Sequence, residues 1–79
     1  MNRPTMRILN QIRTLRFHRA EMTQQALADR IGVSRQTVNA IEGGKYSPSL
    51  EVAFQIARVF DQPLEAVFQY AAEKTATPD

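Results

Sequence analysis

The segment running from Ser34 to Glu42, SRQTVNAIE, holds the side chains with most to offer chemically. Taking about 100° of helical rotation per residue, Thr37, Val38 and Ile41 fall on one contiguous stripe suited to a core. Arg35, Gln36 and Asn39 fall on the opposite side, with Gly43 among them and no acid. Arginine can make a bidentate contact with guanine O6 and N7, and glutamine or asparagine can do so with adenine N6 and N7. None of these residues carries a carboxylate that would repel a phosphate. The plainer reading is a solvated polar helix face. Against it stands the short glycine turn ahead of the segment, because helix, glycine turn and polar helix is the arrangement that projects a second helix into a major groove.

Other chemistries find little support. The chain has no Cys, which excludes disulfides, thiolate zinc sites and thiol catalysis. Its one histidine, His18, has no second histidine or paired carboxylates at a recognisable spacing, so an enzyme is not expected. No cofactor, metal or small-molecule ligand is implied. No apolar run approaches the roughly 18 residues of a membrane span, and the N-terminus lacks a signal-peptide pattern. A cytoplasmic protein is expected, associated with the nucleoid when bound to DNA.

These residues need elements to hold them. The pattern is helical throughout, and 79 residues make one small domain. Ile8, Ile12 and Leu15 recur at helical spacing and predict a first helix over 6–17. Thr23 is a capping residue for a second helix over 24–31, burying Leu27, Ala28 and Ile31 and ending at Gly32. Ser34 caps the third, 34–42. Gly43-Gly44 ends it, and Ser49 caps a fourth helix over 49–60, with Leu50, Ala53, Phe54, Ala57 and Phe60 along one face. Pro63 breaks that helix, and a fifth spans 64–70. Residues 1–5 read as an N-terminal extension and 71–79 as a flexible tail. The expected fold is all-α, a compact five-helix bundle with a helix-turn-helix over residues 6–70.

Charge is divided along the chain. Residues 1–46 hold eight Lys or Arg against three acids, and residues 47–79 hold two against five. Such a division suggests one face that meets a polyanion, although scattered surface charge would also produce it.

From MTQQALADRIGVSRQTVNAIEGGKYSPSLEVAFQIARVF onward, the chain resembles the Cro-type, or XRE-family, helix-turn-helix DNA-binding domain. The family pattern of T-Q, L-A, G-V-S-R-Q-T, I-E, G-K and P-S-L is met almost position by position, and the likeness covers roughly residues 7 to 70. The resemblance implies that Arg35, Gln36 and Asn39 read bases, and that Ser34 caps their helix and touches the backbone or a base edge. It implies phosphate contacts from Gln24, Lys45 and Tyr46, and a structural ion pair between Arg16 and Glu42. Three features depart from the family pattern. The stretch FHRAEM is about one residue longer than the usual connection, Gly43 stands where a longer polar residue is common, and Asp61 stands where a capping glycine is common.

The resemblance implies a regulator of transcription acting by occupancy, with repression as the default. One such domain makes a small footprint, so two copies on a near-palindromic site are expected, with half-site centres about 34–36 Å apart. Phe68 and Tyr70 are candidates for the dimer contact, since the core claims Leu64 and Val67. The rival reading is a protein-interaction module, such as an antitoxin subunit, which would explain the core but not the acid-free face. RNA ranks lower, because the A-form major groove does not admit such a helix.

Overall fold

A computed structural model describes residues 7–71. The elements, in chain order, are β1 (Arg7–Asn10), α1 (Ile12–His18), α2 (Gln24–Ile31), α3 (Arg35–Glu42), α4 (Leu50–Val59), α5 (Leu64–Val67) and β2 (Phe68–Ala71). Five helices surround one core, and a small sheet closes the ends.

Three helices start on hydroxyl caps. The Thr23 side chain accepts from Ala26 N at 2.9 Å, Ser34 from Thr37 N at 3.1 Å, and Ser49 from Val52 N at 3.1 Å. Each satisfies one of the N–H groups that a helix start leaves unpaired. Gly32 and Gly44 both stand at φ +76°, a left-handed geometry that a Cβ would disfavour. Gly32 thereby turns α2 into α3 within three residues.

The core is built from Ile12, Leu27, Val38, Ile56 and Val67, all fully buried, with Ile31, Ile41 and Phe60 around them. On α4 the buried stripe is Ala53, Ile56, Ala57 and Phe60, spaced as one helix face requires. Leu50 and Phe54, expected on that face, are 67% and 50% exposed. They lie to one side of the stripe, and Ile56 is buried at its other edge.

Both end helices are shorter than the residue spacing predicts. Residues 7–10 are a strand rather than the first turns of a helix, and residues 68–71 continue α5 as its partner. The two strands pair antiparallel, with Ile8 opposite Tyr70 and Asn10 opposite Phe68. The helical spacing of Ile8 with Ile12 and Leu15 is therefore coincidental, and only Ile12 of the three is fully buried. Ala71, read as the start of the tail, is the last residue of β2. The rest of that tail and the N-terminal extension lie outside the described residues, as does Met6.

The longer connection after α1 is accommodated by two left-handed residues, Ala20 at φ 57° and Glu21 at φ 55°. Asp61 adopts φ 55° after α4, the geometry a glycine would supply there and one that aspartate tolerates better than most residues.

Candidate nucleic-acid interface

Helix α3 lies against α2 and buries Val38 and Ile41, so its other side is open to solvent. Arg35, Gln36 and Asn39 are all exposed on it. Ser34 is exposed too, but its hydroxyl is occupied by the cap and by the Thr37 hydroxyl at 3.0 Å. Lys45 and Tyr46 follow in the loop, both exposed. Gly44 makes the turn that brings them there, with Lys45 N donating to Ala40 O at 2.9 Å.

Gln24 is half-buried at the first position of α2, where its side chain crosses to α3. Its Nε2 donates to Asn39 Oδ1 at 3.2 Å and to Glu42 Oε1 at 3.0 Å. Arg35 Nη1 approaches its Oε1 at 3.5 Å, a weak contact. A carboxamide has two donor hydrogens, and both are spent here. A phosphate, which only accepts, must therefore be met by the Gln24 backbone N–H or displace Asn39 from the side chain. Asn39, accepting at Oδ1, keeps its own amide hydrogens free to donate.

Arg16 and Glu42 link α1 to the end of α3. Arg16 Nε donates to Glu42 Oε2 at 2.6 Å and Nη2 to Oε1 at 3.1 Å, while Nη1 donates to Met22 O at 2.8 Å. The pair is a fork-on-carboxylate contact, with side chains only 12% and 10% exposed. Glu42 thus holds both Arg16 and Gln24.

Asn10 was not among the residues the sequence pointed to. Its Nδ2 donates to the carbonyls of Ile41 at 3.1 Å and Glu42 at 3.3 Å, and its Oδ1 accepts from Ile12 N at 3.1 Å. One side chain thereby caps the start of α1 and the end of α3. The available signal is an asparagine two residues before the first buried isoleucine, which a helix beginning at residue 6 conceals. Asn10→Ala is expected to cost about 1–3 kcal/mol, because partly buried groups at two helix ends lose their partner. Urea denaturation checks it, and a loss below a few tenths would mean that water replaces the amide.

Phe68 and Tyr70 stand on β2 rather than on a helix. Phe68 packs partly against the core and Tyr70 is 70% exposed. Beside them an apolar groove is lined by Ile8, Pro48, Leu50, Leu64 and Phe68.

A helix-turn-helix family model matches residues 12–67. An uncharacterized helix-turn-helix-type transcriptional regulator of Methanocaldococcus jannaschii is 52% identical over 58 residues, covering 71% of this chain and 88% of its own length. Similar regulators occur in Methanothermobacter thermautotrophicus, 51% identical with 72% and 88% covered, and in Bacillus subtilis, 44% identical with 75% and 88% covered. Among solved structures, that of a candidate DNA-binding protein from Bacteroides fragilis superposes with a TM-score of 0.70 at 22% identity. It covers 78% of this chain and 98% of that one, a likeness of fold.

Proposed function

Because the chain belongs to the XRE-type helix-turn-helix family of DNA-binding transcriptional regulators, we propose that it is a repressor in the cytoplasm that binds a near-palindromic operator as a homodimer. The observation that carries this reading is the exposed face of α3, with Arg35, Gln36 and Asn39 side by side and the neighbouring Glu42 carboxylate held by Arg16. With α3 in the major groove, Arg35 and Gln36 read base edges, while Gln24, Lys45 and Tyr46 meet the flanking phosphates. Ser34 serves mainly as the cap, which fixes the N-terminus of the reading helix. Repression follows from occupancy of the site.

Two copies supply the affinity that one small footprint lacks. The face with Tyr70 and the groove beside Phe68 supports a contact between them, since apolar surface of this kind is the usual material of such contacts. Sedimentation showing one copy both free and on a palindromic duplex would remove the dimer from the reading.

Selection from a random duplex pool at near-physiological salt tests the whole. A two-fold symmetric motif, with half-sites one DNA turn apart, is the expected result. Enrichment of no motif favours an interaction module instead. Arg35→Ala or Gln36→Ala is expected to cost about 1–3 kcal/mol on the selected site and to relax preference at one base position. If Gln36→Ala changes neither affinity nor base preference in a binding titration, α3 is not reading the groove.

A further inference from the structure

The fold leaves one cationic side chain beside the reading surface without a role. Arg13 and Phe17 stand one turn apart on the exposed side of α1, and the Arg13 guanidinium lies over the Phe17 ring at 5.8 Å from its centroid. Phe17 is 52% exposed, so its ring presents an open face for the guanidinium to lie over. Next to the pair opens a cleft of about 410 Å³, whose other walls include Gln24, Asn39 and Gly43. It lies between α1 and the two helices of the reading motif. Gly43, at the end of α3, forms part of its wall.

We propose that this cleft seats a DNA phosphate and that Arg13, held in place by Phe17, is a phosphate-contacting residue, on the reading that α3 enters the major groove. The chemistry favours an anion. Among the described residues Arg13 has no ion-pair partner, so its donors are available. Stacking on the ring restricts the guanidinium without consuming a donor. The carboxylate that also borders the cleft, Glu42, is already neutralised by Arg16 and occupied by Gln24. Asn39 adds free amide hydrogens on the opposite wall.

The test is the salt dependence of duplex binding. Each phosphate neutralised contributes about 0.9 to the slope of log K against log salt. Arg13→Ala is therefore expected to flatten the slope by about 0.9, which amounts to roughly eightfold weaker binding at 0.1 M salt when referred to 1 M. The loss is equal on cognate and unrelated duplexes, and thermal unfolding is unchanged. Arg13→Lys restores the slope, because a phosphate accepts a point charge. Arg58→Ala, which removes an equal charge beside Asp61 at the α4–α5 corner, leaves it unaltered. An unchanged slope for Arg13→Ala in a wild-type chain that binds DNA overturns the assignment and leaves the reading helix standing. An equal flattening by Arg58→Ala overturns it too, since the effect is then net charge alone. A wild-type chain that retains no duplex at any salt removes both readings together.

Discussion

Glu42→Ala is expected to destabilise the fold by about 3 kcal/mol, and by more than its own contacts are worth. Removing the carboxylate leaves the Arg16 guanidinium partly buried with only Met22 O at 2.8 Å to accept from it. Stranding one charge of a buried pair costs about 3–5 kcal/mol, and the slight exposure of this pair places it at the lower end. In a domain of this size each kcal/mol moves the melting temperature by about 4–8 °C, so a fall of roughly 12–24 °C should be seen by calorimetry. A second effect accompanies the first. Gln24 Nε2 loses Glu42 Oε1 and keeps only Asn39, so the side chain that bridges α2 and α3 is loosened. Replacing both partners by apolar residues, Arg16→Met with Glu42→Leu, should recover most of the stability, because no charge is then left buried. A loss below about 1 kcal/mol for Glu42→Ala, the range of an exposed pair, would show that water reaches Arg16 freely.

Leu27→Ala is the other large expectation. Leu27 is fully buried on α2, the helix that packs against both α3 and α4. Truncation removes transfer energy and leaves a cavity, together about 2–5 kcal/mol. Total stability for a chain of this length is roughly 4–12 kcal/mol, so the variant should be partly unfolded at 37 °C. Leu27→Met conserves volume and should cost less than about 1.5 kcal/mol. Urea titrations of the three proteins separate these outcomes. A Leu27→Ala value near that of Leu27→Met would mean that α2 collapses into the space and shifts α3 with it, which DNA affinity would register.

The helices with hydroxyl caps were legible because their signals are local. Thr23, Ser34 and Ser49 each precede an apolar pattern, and each makes the cap hydrogen bond. The sheet was not legible, since Arg7–Asn10 becomes a strand only by meeting Phe68–Ala71 from the far end of the chain. Nothing within four residues of Ile8 distinguishes a strand from the first turn of α1. Leu50 and Phe54 were misplaced for a related reason. Hydrophobicity alone does not say which side of a wide apolar arc faces inward. On α3, the outward set follows from spacing, whereas the phosphate roles of Gln24, Lys45 and Tyr46 rest on family resemblance. The bridge from Gln24 to Asn39 and Glu42 joins three side chains on two helices, and spacing within one element cannot disclose it. Asn10 escaped because it acts across elements, from a strand distant in sequence from the helix end that it holds.

The sheet also bears on the order in which the chain assembles. Gln11 and Gln69, 58 positions apart, hydrogen-bond across its end at 3.0 Å. Drawing such distant segments together costs chain entropy on the order of 3–4 kcal/mol, whereas α2 and α3 meet across a three-residue turn. Sequence-distant pairings of this kind form slowly, so the helix pair can dock before the strands close. Asn10, the last residue of β1, then reaches the end of α3 as the final latch, giving Glu42 O its donor and Ile41 O a second one beside Gly44 N–H.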